Sequence, residues 1–166
     1  MTNKPILPFL ILLFITCFLE QTPAQTPSGD SLRLVLNAYV IPAGLTPADT
    51  AYLSLADALC NQYFKDFELD SLRAVSDRAL NLFPRFKAAG KELLARLDYY
   101  KMRFYRFKGM AYIQSGDYPN ALSAYQQYAV QAEKIGSVKD MGNSYTYIGY
   151  CHRELEDFNL AYQYAQ

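Results

Sequence analysis

At 166 residues the chain is long enough for one domain with a real core and too short to require two. Its 16 basic and 16 acidic residues cancel, and no run of Lys or Arg stands out, which argues against a nucleic-acid footprint or a polybasic membrane patch. Fifteen Tyr and ten Phe without a Trp make the chain unusually aromatic, and Tyr suits helix surfaces where one end of the ring packs while the hydroxyl stays wet.

Lys4 is followed by a stretch, Ile6 to Leu19, that is apolar except for Pro8, Thr16 and Cys17. It is shorter than the ~18 residues expected of a spanning helix, and Thr22-Pro23-Ala24 offers small residues where a signal peptidase acts, so residues 1–24 read as an export signal cleaved after Ala24. Lipidation at Cys17 and an uncleaved anchor stay open as alternatives. The expected location is outside the cytoplasm, periplasmic or membrane-associated, with membrane contact only through this segment or through parts beyond the C-terminal end. Two thiols would then enter an oxidising compartment, Cys60 and Cys151. A disulfide is open to them, but both sit in helical patterns, where a free Cys acts as a small buried hydrophobe.

Residues 25–52 hold "QTPSGD", a short amphipathic run "SLRLVLNAYV" and "IPAGLTPADT", and read as a linker with one short helix. From Ala51 onward apolar residues recur at three and four: Leu55, Leu59, Tyr63; then Leu72, Val75, Ala79, Leu82; then Leu93, Leu94, Leu97, Tyr100. Breaks at "KDFELD", "LFPRFKAAG", "QSGDYP", "KIGSVKD" and "RELEDF" divide this region into six helices in antiparallel pairs. Pro119 suits the first turn of a helix, and Asp117 is placed to cap it.

The stretch "GMAYIQSGDYPNALSAY", Gly109 to Tyr125, superposes on "GYCHRELEDFNLAYQYA" with a period of 40, setting Gly109 on Gly149, Asp117 on Asp157, Tyr118 on Phe158 and Ala121 on Ala161. These residues resemble the tetratricopeptide repeat, a helix pair of about 34 residues with the pattern Trp-x2-Leu-Gly-x2-Tyr, then Ala-x3-Phe, then Pro. Gly109, Tyr112, Ala121 and Tyr125 fall on its Gly, Tyr, Ala and Phe, and an earlier copy offers Leu59, Tyr63, Ala79 and Pro84, with Cys60 in place of the Gly. The copies run over about 53–86, 102–135 and 142–166, the last truncated. They depart from the pattern in Tyr105 and Tyr145 for the Trp, Lys108 for the Leu, Leu72 for an Ala and 15 extra residues after the first copy. The long period is similar to that of exported bacterial tetratricopeptide proteins and of the sensory regions of some histidine kinases and LuxR-type regulators.

The resemblance implies an all-α fold, antiparallel helix-pair repeats stacked as a short right-handed solenoid. Gly109 and Ala121 are then expected where helices cross at the ~8 to 10 Å of close packing, Tyr112 and Tyr125 between one pair and the next, and Gly116 in the tight turn. Each unit exposes an apolar face alone and is stabilised by its neighbours. By the same period the third unit should continue past Gln166, and Leu160, Ala161, Tyr164 and Ala165 form a stripe that awaits a further neighbour.

Little in the sequence suggests catalysis. His152 is the lone histidine, so neither a His-based triad nor a His-pair metal site can be assembled, and Glu154, Glu156 and Asp157 sit where a helix N-terminus attracts carboxylates anyway. No phosphate-cradling Gly loop appears. The expectation is a non-catalytic scaffold, without cofactor, metal or nucleic acid, that binds another protein or a peptide segment. The alternative is the sensory region of a membrane-bound signalling protein. By the resemblance, the inner face of the first helices does the binding, presenting Arg103, Arg106, Phe107, Met110 and Ile113 in the second copy and Tyr147, Tyr150 and Arg153 in the third. Phe107, Met110 and Ile113 are equally suited to packing on a neighbouring repeat or on the Lys91 to Tyr100 helix. Chaperone-binding members of the family clamp a peptide carboxylate with Lys and Asn; Asn61 matches one such position, but Asp57 stands where a Lys is needed.

Overall fold

The computed structural model describes residues 29–38, 50–86 and 90–166, so the expected export signal lies outside the described residues. Regular structure within them is helical: α1 (Gly29–Ala38), α2 (Thr50–Lys65), α3 (Leu69–Leu80), a 3-10 turn (Phe83–Arg85), α4 (Lys91–Gln114), α5 (Tyr118–Ile135), α6 (Val138–Glu154) and α7 (Phe158–Tyr164). Every expected break falls between two of these helices.

Four of the five breaks share one local chemistry. At four helix ends an amide bonds back to the carbonyl five residues earlier: Glu68 to Tyr63 (2.9 Å), Asp117 to Tyr112 (2.9 Å), Ser137 to Ala132 (3.0 Å) and Asp157 to His152 (2.8 Å). This closure needs a left-handed residue just before the bonding amide. Gly116 (φ 75°) and Gly136 (φ 71°) supply it without strain, whereas Phe67 (φ 58°) and Glu156 (φ 63°) adopt it against the preference of a side chain. Three of the following helices are then capped by a side chain. Asp117 Oδ1 accepts from Asn120 N (3.3 Å), Asp157 Oδ1 from Leu160 N (3.3 Å) and Ser137 Oγ from Asp140 N (3.4 Å). Glu68, one methylene longer, caps α3 with its backbone position alone.

The four short connections fold α3, α5, α6 and α7 back on their predecessors, and consecutive helices pack from α1 to α7, with α2 also meeting α4. The core runs through all the pairs, from Leu53 and Leu59 of α2 and Leu72 of α3 to Phe104 of α4, Tyr125 and Tyr128 of α5 and Ile148 of α6. α1 belongs to it as well. Its Leu36 is buried, so part of the expected linker is packed structure. Pro84 lies in the 3-10 turn after α3, and the neighbouring Phe83 ring meets Phe104 at 6.3 Å.

Gly109 and Ala121 are buried as expected, but the glycine serves a different neighbour. A Cβ at Gly109 would stand 2.8 Å from two ring carbons of Tyr125, so the missing side chain admits an aromatic ring rather than a bare backbone. The expected backbone approach occurs in the third copy, where a Cβ at Gly149 would lie 3.4 Å from the Ala161 carbonyl oxygen and 3.2 Å from Tyr164 Cβ. Tyr125 stacks on Tyr147 of α6 with ring centroids 4.6 Å apart, joining one pair to the next. Tyr63 is buried, and Tyr112 lies between the cationic groups of Arg73 (5.7 Å) and Lys108 (5.9 Å).

One expectation is corrected here. Lys91 to Tyr100 is the first part of α4 itself, a continuous helix of 24 residues, so Phe107, Met110 and Ile113 cannot pack on it as on a neighbour. The Leu160, Ala161 and Tyr164 stripe is partly covered by α6, with Tyr164 stacked on His152 at 5.7 Å, and the apolar side chains left outside on α7 are Phe158 and Tyr162. Cys60 and Cys151 are both free and buried. Burial pushes the Cys60 thiol up to about 12 and the Cys151 thiol up to about 11.

Candidate binding groove between α4 and α6

Helical spacing sets Tyr99, Met102, Arg103 and Arg106 on one face of α4. Opposite them, the first turns of α6 present Lys139, Asp140 and Asn143, and the two faces enclose a recess of about 210 Å³. Ser137 caps α6, and Tyr128 of α5 donates its hydroxyl to Asp140 Oδ1 at 2.6 Å. A second hydrogen bond comes to Asp140 from Ser137 Oγ. Burial works to raise the Asp140 carboxyl, but these two hydrogen bonds and the Arg106 charge outweigh it and hold the group below the ordinary carboxylate range.

The two arginines of α4 differ. Arg103 is ion-paired with Asp57 of α2, and its guanidinium lies 5.3 Å from the Phe107 ring. Burial raises the Asp57 carboxyl against the pull of Arg103, and Asn61 adds an amide bond to the Asp57 carbonyl oxygen (3.0 Å). Asp57, Asn61 and Arg103 thus form a closed network where a chaperone-type clamp would need free cations. Arg106 is partly buried, its Nε has no hydrogen-bond partner, and it makes no ion pair among the described residues. Desolvating an arginine donor without a partner is costly, which marks this group as waiting for an acceptor.

Of the residues expected on the inner face, only Arg103 and Arg106 line this recess. Phe107 and Met110 are buried in the core, and Ile113 packs against it. Tyr147 is spent on the Tyr125 stack. Tyr150 and Arg153 form a separate cluster: the Arg153 guanidinium sits 4.7 Å from the Tyr150 ring and bonds Glu154 (2.8 Å), while Tyr150 meets Tyr118 at 6.1 Å. Sequence reasoning missed Tyr99, Met102, Lys139, Asp140 and Asn143. Tyr99 and Met102 precede Arg103 and Arg106 by four residues, a helical signal that the start of the second copy at 102 cut off for Tyr99. Lys139 and Asp140 were read only as part of a break.

His152 is buried, stacked on Tyr164, with Nδ1 3.8 Å from Asp157 Oδ2. Among the described residues no group of three or more His, Cys, Asp or Glu side chains is arranged to hold a metal ion, and no helix is long and apolar enough to cross a membrane. No family model, no curated protein and no solved structure matches the chain, so its own side chains carry the functional reading.

Proposed function

We propose that this chain is a non-catalytic interaction scaffold of the tetratricopeptide type, acting outside the cytoplasm, whose helix pairs stack as a short right-handed solenoid and bind an extended segment of another protein. Support for the repeat comes from equivalent turns. Gly116-Asp117 and Glu156-Asp157, 40 residues apart, share the left-handed residue, the back-bonded amide and the carboxylate cap. Support for binding comes from one observation above the rest, the partly buried Arg106 whose Nε faces no acceptor beside a recess walled by the first helices of two successive pairs. Repeat proteins of stacked helix pairs use such inner surfaces for extended ligands.

Selection of peptides from a random display library on the immobilised chain tests this reading. Selected peptides are expected to bind at micromolar Kd and to weaken at least ten-fold against an Arg106→Ala, Asn143→Ala double variant of unchanged helicity. Binders indifferent to both substitutions, or no binders at all, would overturn it.

A further inference from the structure

A second recess adjoins the first. Leu94, Ala95 and Tyr99 of α4 and Ile135 of α5 line an open, mainly apolar hollow of about 550 Å³, with Lys91, Asp98 and Lys134 at its edge. Tyr99 belongs to both recesses and forms the wall between them. Leu94 and Tyr99 are 47% and 46% exposed, a large apolar area to leave in water next to a cationic pocket.

The charges around this double recess do not balance. Arg103 is paired with Asp57, and Lys134 with Asp98 at 2.7 Å. Asp140 already accepts from Tyr128 and Ser137. Lys91, Arg106 and Lys139 form no ion pair among the described residues, and Arg106 and Lys139 act on the single Asp140 carboxylate only without contact, so positive charge exceeds negative here. Arg106 has the stronger claim on an anion, because it lines the recess with a guanidinium that contacts no carboxylate and whose planar fork suits one.

We propose that the groove recognises a bipartite segment of a partner protein: one Asp or Glu side chain on Arg106, assisted by Lys139, and one large apolar side chain in the Leu94–Tyr99–Ile135 hollow. The spacing follows from the helix. Leu94 and Arg106 are twelve residues apart on α4, a rise of about 18 Å at 1.5 Å per residue and about a third of a turn around the axis, so an extended segment that crosses the helix obliquely covers the distance in about six residues at 3.3 Å each. The ligand is therefore an extended peptide with an acid and a bulky aliphatic or aromatic residue about six positions apart.

This inference rests on the scaffold reading above, and its test separates the two. Fluorescein-labelled ten-residue peptides with one Glu and one Phe at separations of two to eight, in both orders, are titrated against the full chain by fluorescence anisotropy. The tightest Kd is expected at a separation of about five to seven. It should weaken roughly ten-fold when Glu is replaced by Gln, and by a similar factor with Arg106→Gln or Leu94→Asp. Raising salt from 50 to 500 mM should weaken the Glu peptide and leave the Gln peptide unchanged. Amide NMR shifts at Tyr99 and Asn143 report whether any bound peptide occupies the groove. Shifts at both sites with equal Kd for Glu and Gln peptides would overturn the bipartite chemistry and leave the scaffold reading standing. Binding without those shifts would overturn both for this groove. A dimer in sedimentation that Arg106→Gln dissolves would place a second copy there instead, and overturn the peptide proposal.

Discussion

The α2–α3 crossing and the α4–α5 crossing superpose in sequence with an offset of 49 residues, and they are filled in opposite ways. At α4–α5 the three buried positions are Gly109, Ala121 and Tyr125; at α2–α3 they are Cys60, Leu72 and Ser76. In the first, a glycine and an alanine leave room for one large ring. In the second, Cys60 and Leu72 supply the volume and Ser76 shrinks to fit, with its hydroxyl bonded to the Leu72 carbonyl oxygen at 2.7 Å and to Cys60 Sγ at 3.5 Å. The crossing therefore conserves filled volume across a trio of positions, not residue size at any one of them. Cys60 can thus stand at the position that aligns with Gly109.

The largest break in this comparison should come from Gly109→Leu. A bare Cβ already meets the Tyr125 ring at 2.8 Å, so the whole side chain has nowhere to go and the loss of stability should reach about 3 kcal/mol or more. Chemical denaturation checks it, and a variant as stable as the parent would remove the packing argument.

Exchanging the two solutions sharpens the point. Ser76→Tyr alone overfills the α2–α3 crossing and should destabilise by about 2 to 3 kcal/mol. Adding Cys60→Gly and Leu72→Ala, which rebuilds the α4–α5 trio, should recover at least half of that loss, a coupling that a set of independent sites would not show. Strict additivity in the denaturation midpoints would mean that the trios do not share one volume.

The turns beside the two crossings differ by a single strained residue. Phe67 holds φ 58° with its ring 71% exposed, where the other unit has Gly116 at φ 75°. Phe67→Gly should stabilise the chain by about 1 kcal/mol, and Gly116→Ala should destabilise it by a similar amount. Melting curves of the pair measure both signs.

The smallest effect lies in two carboxylates, Asp140 in the groove and Asp57 behind Arg103. Asp140 is held below its ordinary range, so between its folded value and the unfolded value near 3.9 the unfolded state carries more protons. Its stabilising contribution is present above about pH 4 and is lost as the pH falls through the folded value. Asp57 is raised, chiefly by burial, so the folded state carries more protons just above pH 4, and this group's contribution weakens as the pH rises through that window. Carbonyl NMR titration should find Asp57 protonating before Asp140 on acidification. Asp140→Asn should flatten the acid limb of the stability curve.

The outline of the helices could be read from residue order because it depends on local terms: the 3.6 spacing of apolar residues from Leu55 to Tyr100, the left-handed freedom of Gly116 and Gly136, and the reach of the Asp117 and Asp157 side chains to an amide three residues on. The groove was legible only in part. Arg103 and Arg106 were found because an inner face follows from the pattern of a helix pair, but nothing local distinguishes Arg106 from Arg103.

The sequence by itself determined where helices start, stop and turn, since those choices are made within a few residues by backbone dihedrals and capping hydrogen bonds. Only the tertiary structure decided which side of each helix meets which neighbour. It put Phe107 and Met110 in the core, spent Tyr147 on a stack with Tyr125, and paired Arg103 with Asp57 across 46 positions of the chain. The physical reason is that a helix face is divided among its neighbours by crossing geometry, and a side chain becomes a binding group only when every nearby partner has been taken by another residue.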